Sequence, residues 1–195
     1  MLADVARALP MARALYRDEL PTMEPKLAAN ATVELAMLDV IVGMVTAEDG
    51  KRLLEGGRIL ADLVTDPMAS CDDVHRLAAL GTAVHAGMRA GRFGAAEQHF
   101  RACLGAAQGM LADDIGTTDV CTILGCAGLQ LAQAAALGRD ENTTRKLLQQ
   151  SEQAADELGI EHEVLGRYFG PEHTRATRSI CLSVLGHVDE SLEVG

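Results

Sequence analysis

Apolar residues recur every three or four positions through most of this chain, the spacing of one face of an α-helix. After Gly91 the spacing is carried by six positions: Phe93, Ala96, Phe100, Cys103, Ala107 and Met110. The pattern predicts helices over about 26–47, 51–64, 72–90, 93–111, 117–137, 141–158 and 171–185. Only 117–124 is rich enough in β-branched residues to suggest a strand, and it runs into an Ala-rich helix. We therefore predict essentially no sheet.

Glycines stand where these helices should end. Each follows an apolar stretch, and a glycine just past a helix favours a left-handed C-terminal cap. The positions are Gly91, Gly138, Gly159 and Gly186. Start signals alternate with them: Asp140 can cap a first turn with its side chain, and Pro171 suits a first helical position. The chain is thus divided into helical hairpins.

One hairpin unit is repeated along the chain. Its clearest copy reads Gly91-Arg92-Phe93-x-x-Ala96-x-x-x-Phe100-x-x-Cys103, with weaker copies starting at Gly50, Gly138 and Gly186. This copy resembles the second half of a tetratricopeptide repeat, in which a small residue lets two helices approach and large residues fill the gap to the next hairpin. The predicted fold is all-α: antiparallel helical hairpins stacked as a tetratricopeptide-like solenoid. It forms one domain, with an irregular piece over 1–25 and hairpins at about 26–64, 72–111, 117–158 and, incomplete, 171–195.

Composition supports a helical core and indicates a reducing compartment. Hydrophobic residues make up 48% of the chain but aromatic residues only 3%, with no Trp, so the core must be built from Ala, Leu, Val and Met. The five cysteines are widely spaced and form no CxxC pair, as expected of free buried thiols. The N-terminal residues lack the pattern of a signal peptide. We expect a cytoplasmic protein.

Charge argues against nucleic acid as a direct partner. The chain has 17 basic and 28 acidic residues, a net charge of −11, and no basic run. Binding to phosphates needs clustered Lys and Arg, so we expect no direct contact with nucleic acid. Two apolar stretches, 27–47 and 120–138, are long enough to suggest a membrane-spanning helix. The first contains Glu34 and Asp39, and the second lacks flanking anchors, so both are interpreted as buried helices and no membrane partner is expected.

Chemical motifs give no support to catalysis. The six histidines show no HExxH or paired-ligand spacing, and no nucleophile elbow, phosphate loop or dinucleotide fingerprint occurs. The expectation is a protein that is not an enzyme and that uses no metal or cofactor.

A binding groove is predicted on the first helices of the hairpins. In a helical solenoid these helices line the concave side, and aligning the hairpins on their turn glycines places seven residues there. They are Met37, Val40, Met44, His85, Met88, His173 and Ile180. Methionine is flexible and suits a surface that adapts to a ligand, although it also fills gaps in cores. The groove predicts a peptide, a small apolar ligand or a partner protein as the occupant.

The segment 155–195 carries a family resemblance. Leu158-Gly159, Phe169-Gly170-Pro171 with His173, and Leu185-Gly186 followed by Glu190-Ser191-Leu192 resemble the tetratricopeptide-like C-terminal region of bacterial Cro/C1-type helix-turn-helix transcriptional regulators. The resemblance implies a sensing role. The chain shows no basic helix-turn-helix segment at its N-terminus, and a free-standing adaptor or scaffold is the alternative.

Self-association is a further expectation. The sequence stops shortly after Gly186, before a next hairpin that would cover Ile180, Leu182 and Val184. Repeat arrays need a polar cap at each end, and an uncovered apolar end tends to pair with another copy. We therefore expect a homodimer.

Overall fold

The computed structural model describes residues 11, 14, 18–45, 50–65, 71–112 and 116–194. A short 3-10 helix, Leu20–Thr22, precedes eight α-helices within these ranges. They are α1 (Pro25–Val45), α2 (Gly50–Thr65), α3 (Asp73–Arg89), α4 (Phe93–Ala112), α5 (Thr117–Leu137), α6 (Glu141–Leu158), α7 (Pro171–Leu185) and α8 (Val188–Val194). The seven predicted helices are confirmed, with ends that agree to within two residues. Most of the irregular piece predicted over 1–25 lies outside the described residues.

The helices pack against their neighbours in a regular order. Consecutive helices pair as α1 with α2, α3 with α4, α5 with α6, and α7 with α8. The odd-numbered helices also pack in series, α1 on α3, α3 on α5 and α5 on α7. Each of α2, α4 and α6 additionally contacts the odd-numbered helix that follows it. Because α3 and α5 are contacted from several sides, they are the most deeply buried elements.

The interior is built from small and aliphatic residues, as the composition predicts. The main cluster draws on all five helices from α1 through α5. It includes four residues that are 0% exposed: Leu60, Leu77, Val84 and Ile123. A second cluster, around Leu129, joins α5 and α6 to α7. By length and composition, Pro25–Met44 and Thr117–Leu137 are each apolar enough to cross a membrane, and both pack against other helices here.

Helix ends follow the predicted glycines at three of four positions. Gly91, Gly159 and Gly186 have positive φ angles of 68°, 68° and 97°. Gly138 does not: its φ is −75°, and Arg139 takes the left-handed conformation with φ 61°. The helix ends at Leu137 as predicted, but its left-handed cap falls one residue later, and the Asp140 N–H closes the turn on the Ala135 carbonyl at 2.9 Å. Arg139 is held there by donating from Nη1 to the Val184 carbonyl.

A β-hairpin corrects the expectation of essentially no sheet. Strands β1 (His162–Val164) and β2 (Arg167–Phe169) pair antiparallel, joined by Leu165 and Gly166, which both have positive φ. Two left-handed residues give a tight turn whose twist matches the strands. Three-residue strands are too short to show an alternating pattern, which is why the sequence did not reveal them.

Phe169 fixes this hairpin on α5. Its ring is fully buried, and a Cβ on Gly125 would lie 2.3 Å from the ring Cζ. Only glycine therefore fits at this point of α5. On the other strand, His162 Nε2 lies 2.9 Å from the Asp119 Oδ1 of the same helix. With both strands anchored, the side chain of Arg167 is directed into the interior between α3 and α5.

Candidate functional site

The predicted groove is closed at its three positions on α1. Met37, Val40 and Met44 are 4%, 5% and 7% exposed. Met37 belongs to the main core, and Val40 and Met44 pack with Leu53 and Ala86. The prediction that these three residues line an open surface is wrong. The reason is that α1 turns this face toward both α2 and α3.

The other four predicted groove residues have different surroundings. Met88 is half-buried against the main core, while Ile180 is 54% exposed on α7. His173 packs edge-on against the Tyr168 ring, with centroids 5.6 Å apart. His85 bonds to Gln130 instead. Among the described residues, no hydrogen bond or ring contact joins His173 to His85.

A different groove opens between α4 and α6, above α5. Its volume is about 700 Å³, within the usual range for ligand pockets. We call it the α4–α6 groove. Its lining residues come from all three helices and from the α5–α6 turn: Phe93, Gly94, Glu97, Phe100, Arg101, Leu104, Leu131, Ala134, Ala135, Gly138, Asp140, Thr143, Lys146, Leu147 and Gln150.

Large apolar side chains and small floor residues shape this groove. Phe93 and Leu104 of α4 are 43% and 41% exposed. Across from them, Leu147 of α6 is half-buried. The floor at Ala134 and Ala135 carries only methyl groups, so an occupant can approach the α5 backbone closely.

Charges at the groove rim carry both signs. Glu97 and Arg101 form an exposed ion pair at 2.6 Å. Asp140 accepts the Thr143 N–H at 3.0 Å and caps α6, and this hydrogen bond holds the pKa of its carboxyl below the usual range. Lys146 adds a positive charge on the α6 side. The rim is therefore mixed, and it surrounds an apolar centre.

A second candidate site, the polar cluster, lies where α3, α5 and β2 meet and consists of Thr82, His85, Gln130 and Arg167. Arg167 is only 5% exposed. Its Nη2 donates to the Thr82 Oγ1, which in turn donates to the Ala78 carbonyl at 2.9 Å. Gln130 Nε2 lies 3.1 Å from His85 Nδ1. Since an amide nitrogen can only donate, His85 Nδ1 accepts and the imidazole carries its proton on Nε2.

Electrostatics in the polar cluster are dominated by burial. Burial, with the nearby positive charges of Arg167 and Arg89, lowers the pKa of His85 to about 4. Burial also lowers the pKa of Arg167, but guanidinium remains charged in proteins. At neutral pH the cluster thus holds one buried cation and one neutral imidazole.

Cysteine chemistry is suppressed throughout the described structure. Burial raises the pKa of Cys103 to about 12 and that of Cys181 to about 11, so these thiols stay protonated at neutral pH. No group of three or more His, Cys, Asp or Glu residues in the described ranges could hold a metal ion.

Comparison with known proteins yields no match, whether with family models, curated proteins or solved structures. The two sites accordingly stand on their own geometry.

Of the predicted groove residues, His85 belongs to the polar cluster and none lines the α4–α6 groove. Sequence reasoning missed the other residues of the two sites for different reasons. Phe93 and Phe100 were recognised as repeat positions, but the pattern assigned them to packing between hairpins. A helical period shows which residues share a face and not whether a neighbour covers that face. Arg167 carried one weak signal, as a lone cation between Leu165-Gly166 and Tyr168-Phe169.

Proposed function

We propose that this chain is a non-catalytic binding module whose α4–α6 groove receives an amphipathic helix from a partner protein. The observation that carries the proposal is the open apolar groove between two helices. Phe93, Phe100 and Leu104 stand in a row along one wall, where Phe93 and Leu104 remain strongly exposed. Such a patch with a polar rim is typical of an interaction site.

The shape of the groove favours a helix as the occupant. Along α4 the lining residues follow the steps of one helical face, from Phe93 through Glu97 and Phe100 to Leu104. They extend over about 17 Å, because a helix rises about 1.5 Å per residue. A bound helix would present anchors at the same spacing, as in other helix-in-groove complexes. The small side chains of Ala134 and Ala135 permit the interaxial distances of about 8–10 Å that helix packing requires.

For the overall architecture we propose a tetratricopeptide-like solenoid. It is supported by the pairing of consecutive helices and by the series α1, α3, α5, α7. It is also supported by the left-handed turns at Gly91, Gly159 and Gly186. In such an arrangement each hairpin contacts only its neighbours, and grooves between hairpins are available for partners.

The wider role we propose is the sensing part of a bacterial transcriptional regulator that acts in the cytoplasm. Its support is the resemblance of 155–195 to such regions, together with buried, protonated thiols. DNA contact would be left to another domain or protein, given the net charge of −11. A free-standing adaptor is the alternative. A helix-turn-helix encoded in the same or the adjacent reading frame would support the regulator, and its absence would support the adaptor.

Homodimerisation remains a prediction, but fewer exposed apolar residues support it than the sequence indicated. Of the three residues expected to be uncovered, Leu182 is 1% exposed and Val184 is half-buried, so only Ile180 fits the expectation. Val188 and Leu192 of α8 are 55% and 76% exposed and extend an apolar surface at this end.

A matched pair of substitutions tests the α4–α6 groove. Leu104 and Leu111 lie on the same helix and are both 41% exposed, but only Leu104 lines the groove. Amphipathic helical peptides selected by surface display on the purified protein serve as probes. We expect Leu104→Asp to weaken the binding of selected peptides at least tenfold, about 1.4 kcal/mol, and Leu111→Asp to leave it unchanged.

Other outcomes of this experiment identify other occupants. Equal affinity for both variants, or no selected helix, would contradict the proposal. Loss of a dimer in sedimentation on Leu104→Asp alone would show that a second copy fills the groove.

A further inference from the structure

A largely buried imidazole joins the first two helical hairpins. His75 lies in the first turn of α3, and its side chain is only 14% exposed. Its Nε2 lies 2.8 Å from the Glu34 Oε1 of α1, and its Nδ1 lies 2.8 Å from the Oδ1 of Asp72, the N-cap residue of α3. Both ring nitrogens therefore face carboxylate oxygens, and the two carboxylates come from different helical hairpins.

The two contacts together determine the charge of the ring. An ionised carboxylate only accepts hydrogen bonds, so each ring nitrogen of His75 has to donate one. A neutral imidazole has a single N–H, whereas the imidazolium cation has two. The arrangement is therefore that of a positively charged ring between two negative groups. If the ring lost one proton, a nitrogen lone pair would face a carboxylate oxygen, and that contact would become repulsive.

Asp72 is held in place by bonds that do not involve the ring. Its Oδ1 accepts the backbone N–H of His75 at 2.9 Å, and its Oδ2 accepts from the Asn30 Nδ2 at 2.7 Å. The Asn30 Oδ1 in turn accepts the Asp72 N–H at 2.9 Å. Burial alone would raise the pKa of the Asp72 carboxyl, but hydrogen bonds from His75 and Asn30 outweigh burial and lower that pKa.

Glu34 is held much less firmly than Asp72. Its side chain is 44% exposed, and the His75 ring is the one hydrogen-bond partner of its carboxylate among the described residues. When the ring becomes neutral, we expect Nδ1 to keep its proton on Asp72 and Glu34 to turn toward water. The contact that is lost is then the one between α1 and α3.

Other described charges around α3 are engaged with one another. On α3 itself, Asp73 and Arg76 pair at 2.8 Å. The charged side chains described on the other helices that pack against α3 form three further groups: Arg58 with Glu55 and Asp62 on α2, Arg101 with Glu97 on α4, and Asp119 of α5 with His162. The charge of His75 is therefore balanced by Glu34 and Asp72.

We propose that Glu34, His75 and Asp72 form a proton-dependent latch between the first and second hairpins, the α1–α3 latch. The latch is closed while the ring carries both protons, and it opens when the ring loses one. Beside it, α1 packs into the main core through Val33 and Met37, which are 2% and 4% exposed. Opening the latch makes local excursions of α1 from this core more frequent. The α1–α3 latch shares no helix with the α4–α6 groove and does not depend on the function proposed for it.

The latch closes at low pH and opens at high pH. Burial alone would lower the pKa of His75, but the hydrogen bonds to Glu34 and Asp72 outweigh burial and raise that pKa. The doubly protonated ring is therefore present at pH 6 and is lost as the pH rises through the folded value. Because a charge-assisted hydrogen bond is lost, we expect α1 to open about tenfold more often at pH 9 than at pH 6.

NMR of the histidine ring nitrogens tests the charge state in the unmodified protein. At pH 7 an ordinary imidazole, with a pKa of about 6.5, is mostly neutral. Both ring nitrogens of His75 should still be protonated at this pH. A His75 ring that is mostly neutral at pH 7 would overturn the proposal, and this result needs no variant to fold.

Hydrogen exchange of the α1 amides, normalised to their intrinsic exchange rates, measures the opening. Between pH 6 and pH 9 we expect the protection of α1 to fall about tenfold. Glu34→Gln should remove most of this dependence, because an amide bonds to the ring in either charge state, as donor or as acceptor. Glu157→Gln, at an exposed glutamate of α6, is the matched control and should keep it. Protection of α1 that does not change with pH, or a dependence that survives Glu34→Gln undiminished, would defeat the latch.

Discussion

The α4–α6 groove and the polar cluster both use residues of α5, yet they differ in size, polarity and accessibility. The groove takes Leu131, Ala134 and Ala135 from α5, and it is open, apolar and large. The polar cluster takes Gln130 from α5, and it is enclosed and contains a buried cation. A helix that is apolar nearly all round is normally buried on every side by other apolar residues, and α5 departs from this at two places. At the groove the exception is an open gap between α4 and α6, and at the polar cluster it is a buried cation that no described carboxylate pairs with.

The comparison also separates two kinds of recognition. An open apolar groove binds through buried area and shape, so its affinity is spread over several side chains. An enclosed charge acts through electrostatics that are strong because water is excluded, and its effect depends on one or two groups. The two sites should therefore respond to different substitutions and to different solution conditions.

The largest expected effect comes from Phe169, which holds the hairpin carrying Arg167 against Gly125. Phe169→Ala should lower the free energy of unfolding by about 3–5 kcal/mol, because a fully buried ring is lost and a cavity remains. Urea denaturation measures this loss. Tyr168→Ala is the matched control. The Tyr168 residue, next to Phe169 in the chain, is 44% exposed, and removing its ring should lower the free energy of unfolding much less. Similar losses for both variants would show that Phe169 does not anchor the hairpin.

A second prediction concerns the pH dependence that the polar cluster imposes. Because the pKa of His85 is about 4 in the folded chain against an ordinary 6.5, the unfolded chain binds the extra proton first as the pH falls. Stability should decrease between about pH 6.5 and pH 4, by up to about 3 kcal/mol from this residue alone. His85→Gln should flatten that decrease.

Urea denaturation across this pH range, with and without the substitution, provides the measurement. Titration of the His85 ring by NMR gives the folded pKa directly. A folded pKa near the ordinary value would contradict the burial of this imidazole next to Arg167.

The smallest effect is expected at His75, outside both sites, and it has the opposite sign. Burial alone would lower the pKa of this imidazole, but hydrogen bonds to Glu34 and Asp72, each 2.8 Å, outweigh burial and raise the pKa. The stabilisation is present below the ordinary pKa and is lost as the pH rises through the folded value. His75→Gln should therefore destabilise the protein more at pH 6 than at pH 9. The urea midpoints of this variant and the unmodified protein at both pH values provide the check, and an equal effect at both would count against the network.

Local features of the sequence were sufficient to determine the helices. The 3.6-residue period, the cap at Asp140, Pro171 at a helix start and glycine at the ends act within a few residues of chain, so they do not depend on what packs nearby. The all-helical class follows from the same local information. Even the shifted cap at Arg139 lies only one residue from its predicted position.

The tertiary structure alone decided which faces are covered and which polar groups meet. Met37 and Met44 have the sequence pattern of an adaptable surface, yet they are buried because α1 packs against two helices at once. Phe93 has the pattern of a core residue, yet it stays exposed because α4 and α6 leave a groove above α5. Arg167 meets Thr82 across 85 residues of chain. Contacts of that range depend on how helices and hairpin are arranged in space, and no local periodicity encodes that arrangement.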